Sequence, residues 1–89
     1  MNFETSNKNP VITYRKKRDL KPAQLAKLVG VSANTIYRLE KGYQASLPSQ
    51  IRRTLNEAED GLGDDLAEAY GEWREKEKEE ILSSQESDS

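Results

Sequence analysis

With 89 residues and 34% hydrophobic content, the chain makes one small domain with an economical core, too short for two independently folded halves. It has no His and no Cys, which removes disulfides, thiolate nucleophiles, imidazole bases and zinc sites of the usual kind, and it has no apolar run of about 18 residues to span a membrane. The net charge of −2 hides two opposite halves: residues 1–53 carry eleven Lys and Arg against three acids, a net of +8, and residues 54–89 carry three against thirteen, a net of −10.

Residues 1–9 are polar and unpatterned and are expected to form a flexible arm. Asn9-Pro10 then supplies a capping side chain and the residue best tolerated in a first turn, so a first helix opens here. Val11, Tyr14 and Arg18 share one face of it, with Arg15, Lys16 and Lys17 on others, and it ends near Asp19 before Leu20 plugs the core. Pro22 opens a second helix of about two turns that carries Leu25, Ala26, Leu28 and Val29 inward until Gly30 stops it. Ser32 caps a third helix with Ile36 and Leu39 as its apolar stripe and Gly42 as its end, leaving Ala33, Asn34, Tyr37, Arg38 and Lys41 outward. After a loop from Tyr43 to Ser46, a fourth helix buries Leu47, Ile51, Leu55 and Ala58. Gly61-Leu62-Gly63 breaks the chain, and Asp65 with Glu68 reads as a capping box opening a fifth helix whose stripe is Leu66, Ala69, Tyr70 and Trp73. From Arg74 to Glu80 the sequence is almost wholly charged, a solvated or frayed helix, and Ser83–Ser89 is expected to be a disordered tail.

The run from Pro22 to Lys41 places a tiny residue, Ala26, where two short helices cross, a free backbone at Gly30 where the chain turns, and apolar residues at Leu25, Val31, Ile36 and Leu39. It resembles the helix-turn-helix of phage Cro and repressor proteins, the XRE family, through Arg15, Leu20, Ala26, Gly30, Val31-Ser32, Ile36 and Glu40-Lys41-Gly42. The resemblance implies an all-α, lambda-repressor-like bundle of four to five short helices. The DNA-binding domain then spans residues 10–60, followed by an amphipathic, acidic C-terminal helix over 61–82, which has no fixed counterpart in the family, and the tail beyond. The resemblance also implies an ion pair between Arg15 and Glu40, joining the first helix to the end of the third. Pro22 stands where the family commonly has a phosphate-binding glutamine, and Tyr14 where a leucine is usual.

In this motif the outward face of the third helix enters the major groove. Ala33, Asn34, Tyr37 and Arg38 are then the base-contacting residues: Asn34 matches adenine, Arg38 forks onto guanine, Ala33 touches a thymine methyl, and Tyr37 meets backbone or thymine. Phosphate contacts are expected from Lys21, Gln24, Thr35, Lys41, Tyr43, Gln44 and Ser46, with Tyr43 equally suited to packing on its loop. Leu66, Tyr70 and Trp73 either pack back on the domain or form a two-fold homodimer, the reading favoured for paired half-sites. The expected function is thus a small sequence-specific transcriptional regulator, most simply a repressor from a phage, plasmid or bacterial regulatory locus. It would be cytoplasmic, with double-stranded DNA as its partner, no membrane association, no cofactor, no metal and no enzymatic activity. The alternative is a protein-interaction module, such as an antitoxin or anti-regulator, that offers its acidic C-terminal helix to a protein partner.

Overall fold

A computed structural model describes residues 8–87, with side chains as far as Leu82. Five helices and no strand occur among the described residues: α1 (Pro10–Lys17), α2 (Pro22–Val29), α3 (Ala33–Lys41), α4 (Ser49–Ala58) and α5 (Leu62–Ser87). Residues 1–7 of the expected arm lie outside them; its last residue, Asn9, is buried. None of these helices is long and apolar enough to cross a membrane.

Local chemistry sets the ends of the first three helices. The Asn9 side chain accepts the Val11 N–H at 2.9 Å, and Pro10 occupies the first turn. At the other end of α1, Leu20 N–H donates to the Arg15 carbonyl and Asp19 N–H to that of Lys16, with Asp19 in the left-handed region at φ 55°. That is the helix-stop pattern usually built on glycine, here made by a residue whose short polar side chain tolerates the conformation. Gly30 and Gly42 end α2 and α3 in the same way, at φ 73° and 79°.

The core comprises Val11, Tyr14, Leu25, Ala26, Val29, Ile36, Leu39, Leu47, Ile51, Leu55, Leu62, Leu66 and Tyr70, with Leu20, Val31, Ala67 and Trp73 packed against it. Two residues expected inside are outside. Leu28 is half exposed, because at 100° per residue it lies well off the arc of Leu25, Val29 and Ala26 that faces α3. Ala58 is exposed at the last turn of α4, where the chain leaves the helix in an extended conformation at Glu59 and Leu62 becomes the next buried side chain. Leu47 is buried but precedes α4, whose N-terminus is set by Pro48.

The fifth helix departs further from expectation. It begins at Leu62, not Asp65: Gly61 makes the turn at φ 79°, and the Asp65 N–H already donates to the Gly61 carbonyl within the helix. Gly63 is therefore a first-turn residue, and it lies so close to α4 that a Cβ there would sit 1.9 Å from the Arg52 carbonyl oxygen. Asp64 ties the two helices, accepting from Arg52 Nε and Asn56 Nδ2 while its own N–H donates to Asn56 Oδ1. Those two donors, Arg52 first, hold the Asp64 carboxyl below its ordinary pKa.

Leu66 and Tyr70 are fully buried within the single chain and Trp73 is partly buried against the same core, so the stripe offered for dimerisation packs back on its own domain. A second copy cannot reach Leu66 or Tyr70 without opening that core. The helix then runs on to Ser87, so residues 83–87 of the expected disordered tail are helical, and residues 88–89 lie outside the described residues. At 1.5 Å per residue α5 is about 39 Å long, which accounts for the 47 Å long axis of a molecule only 25 by 23 Å across.

Candidate nucleic-acid interface

The third helix sorts its residues cleanly. Ser32 caps it by accepting the Thr35 N–H at 3.2 Å, and Ile36 and Leu39 are fully buried. Ala33, Asn34, Tyr37, Arg38 and Lys41 are all exposed. At 100° per residue these five fall within about 140° of arc on the side away from the core. The Lys41 ammonium lies 5.3 Å from the centroid of the Tyr37 ring, placing a cation on the aromatic face within that arc.

Behind this face the helix is fixed at its C-terminal end. Arg15 forks onto Glu40, with Nε 3.0 Å from Oε2 and Nη2 3.0 Å from Oε1, and its third nitrogen, Nη1, donates to the Leu20 carbonyl at 2.9 Å. Both side chains are about 85% buried, and the bidentate geometry gives direction as well as attraction. The Asn9 amide donates to the Leu39 and Glu40 carbonyls in the last turn of α3, 2.8 and 3.1 Å away, beside the Gly42 N–H that the Leu39 carbonyl also accepts. The sequence shows Asn9 as a cap only; its second role depends on α1 meeting the end of α3, which no local pattern reveals.

The residues expected at phosphate divide into two groups. At the start of α2, Lys21 and Gln24 are exposed, and the Lys21 N–H donates to Gln24 Oε1 at 2.8 Å, which leaves the Gln24 amide with its donor end for an anion. Thr35 is half-buried at the start of α3, its hydroxyl paired with that of Ser32 at 3.0 Å. The second group follows α3: Lys41, Tyr43 and Ser46 are exposed, and Gln44 is partly covered. Tyr43 stands two-thirds exposed, free of the core. Arg52, beside the α4 face, is engaged with Asp64.

The loop after α3 is held from an unexpected direction. Tyr70 donates its hydroxyl to the Gln44 carbonyl at 2.8 Å, and Arg74 donates through Nε to the Gly42 carbonyl at 3.3 Å and through Nη1 to the Ala45 carbonyl at 3.0 Å. The Trp73 ring lies where a Cβ on Gly42 would meet it at 2.9 Å. Burial pushes the Tyr70 phenol above its ordinary pKa, against smaller opposing effects of Arg74 and of the bond to Gln44. In the sequence Arg74 is simply the first member of a charged run; its one signal was its position four residues after Tyr70, on the same helical face.

A family model described as helix-turn-helix matches residues 11–53. No curated protein and no solved structure matches the chain. The matched segment begins in α1 and ends in α4, enclosing the capped α3, its exposed arc and the Arg15–Glu40 fork. Over these residues the chain is similar to the XRE-type helix-turn-helix DNA-binding proteins.

Proposed function

We propose that this protein is a sequence-specific regulator of transcription, a small repressor that reads the major groove of duplex DNA with the exposed face of α3. The observation that carries the reading is that arc: Ala33, Asn34, Tyr37, Arg38 and Lys41 all face solvent on a short helix anchored by Arg15 and Asn9. Asn34 presents an amide donor and acceptor to adenine, Arg38 a fork to guanine, and Ala33 a methyl group to thymine, each good bidentate pair discriminating by about 1–3 kcal/mol. Lys21 and Gln24 on one side, with Thr35 at the helix start, and Lys41, Tyr43, Gln44 and Ser46 on the other hold the flanking phosphates. Repression requires only that the bound protein occupy the duplex. Two copies act on half-sites about one helical turn apart, with the DNA setting their spacing instead of Leu66 and Tyr70.

Selection of binding sites from random duplexes tests this. The wild-type chain yields a sequence motif, and Asn34→Ala and Arg38→Ala relax it at separate base pairs. Affinity falls as salt is raised, because Lys21, Lys41 and the rest of the basic half displace counterions from the duplex. Failure to enrich any motif, or an affinity indifferent to salt, contradicts the proposal. It would favour instead an interaction module whose contact is the far end of α5, where Ile81 and Leu82 stand exposed among Glu75, Glu79 and Glu80.

A further inference from the structure

We infer that Tyr70 and Arg74, which lie beyond the family-matched segment, are positioning residues for the DNA interface: they preset the loop of residues 42–45 that carries the phosphate contacts after α3. The inference rests on the DNA-binding reading above and extends it to α5. Three hydrogen bonds reach three different carbonyls of one short segment, those of Gly42, Ala45 and Gln44, from two side chains one helical turn apart. Trp73, between them in sequence, closes the near side of the loop against Gly42 and lies tilted by 36° against Tyr70 with ring centroids 5.8 Å apart. A segment with no regular structure is thereby pinned at three of its carbonyls, and the Tyr43 side chain, with that of Ser46 just after it, is left facing solvent.

The arrangement has a physical purpose. An exposed loop free to move must be ordered when it grips a phosphate, at about 1–2 kcal/mol for each residue fixed. A loop ordered in advance avoids that cost, and its side-chain donors already stand where the phosphate arrives. Donors on α5 are suited to the task because they take up carbonyl oxygens, which repel phosphate; with the Gly42 and Tyr43 N–H groups given to the Leu39 and Arg38 carbonyls, the side chains of Tyr43, Gln44 and Ser46 are the donors offered to phosphate. Arg74 also sets a positive charge beside the loop, ahead of the carboxylates of Glu75, Glu77, Glu79 and Glu80 farther along the helix.

Three variants separate positioning from charge. Tyr70→Phe removes only the bond to Gln44 and changes no charge, Arg74→Lys keeps the charge but cannot span two carbonyls, and Arg74→Gln removes both. Affinity is measured on the duplex selected by the wild-type chain, together with its salt slope and its preference over single-base-substituted duplexes; hydrogen exchange at residues 43–46 is followed in the DNA-free protein. The positioning role predicts that Tyr70→Phe and Arg74→Lys each weaken binding roughly three- to tenfold with the salt slope unchanged, because Tyr43, Gln44 and Ser46 bring no charge to the phosphate. Base preference stays unchanged, loop exchange speeds up, and the unfolding midpoint moves little. Wild-type affinity for both, with weakening confined to Arg74→Gln, would assign the effect to charge and overturn the inference. So would unchanged loop exchange in all three. A wild-type chain that binds no duplex at all sinks the DNA-binding reading instead, and loop exchange still decides whether α5 orders the loop.

Discussion

Asn9 illustrates how much one side chain can carry in a chain this small. Its oxygen starts α1 and its nitrogen closes α3, so a single amide with all its partners supplied joins the two ends of the domain's N-terminal half. Asn9→Ala should cost about 2–3 kcal/mol, roughly 1 for the cap and the rest for the two hydrogen bonds lost from the end of α3, read as a shift in the urea unfolding midpoint. Asn9→Ser keeps a capping oxygen and should recover only about 1 kcal/mol of that loss; full recovery would mean that the tie to Leu39 and Glu40 contributes nothing. Capping was legible because it is local: a polar residue followed by Pro10, and Ser32 three residues before Thr35, state their roles in sequence. The second half of Asn9's role was not, because it depends on a contact between residues thirty positions apart.

Among the elements, α5 is where periodicity was least sufficient. Gly61 and Gly63 read as one turn, yet only Gly61 turns the chain, and Gly63 is instead the point where α5 crosses the backbone of α4. Such a crossing leaves no trace in the spacing of apolar residues. Gly63→Ala should therefore destabilise by roughly 3 kcal/mol or more, since the clash is with a carbonyl that cannot rotate away; circular dichroism with urea measures it, and a loss below about 0.5 kcal/mol, within the range of ordinary surface substitutions, contradicts the crossing. The same helix shows why its apolar stripe pointed two ways: Leu66, Tyr70 and Trp73 carry the same pattern whether they cover their own domain or another. Their burial against α1 and α4 required the tertiary structure. Tyr70 gives that burial a spectroscopic handle. Its folded pKa is raised, so the stability linked to its neutral form is complete below about pH 10, the ordinary tyrosine value, and is lost as pH rises through the raised value. Absorbance titration should show one tyrosine ionising late, and Tyr70→Phe should abolish that late phase; its persistence in the variant contradicts the assignment.

At the scale of the whole molecule, the opposed charges of the two halves are arranged along a long axis rather than mixed. The basic residues lie mostly on the compact body, while Glu75, Glu77, Glu79 and Glu80 extend beyond it along α5, a helix of about 39 Å. This asymmetry was readable by counting, and the helix-turn-helix by spacing, since Ala26, Ile36 and Leu39 share one core across the turn at Gly30. The Cro and repressor resemblance extended that reading to Arg15 and Glu40, whose pairing crosses twenty-five residues. What it did not reach was the contribution of α5, because the family match ends at residue 53. The central claim is that α3 and the segments flanking it, rather than the acidic helix, make the contact with DNA. Amide NMR shifts of the full-length protein, titrated with the duplex that it selects, test this most directly. The account predicts the largest shifts over residues 21–24 and 32–46, with residues 75–82 nearly unmoved. Shifts concentrated in the acidic end of α5, with those of Asn34 and Arg38 unchanged, would contradict it.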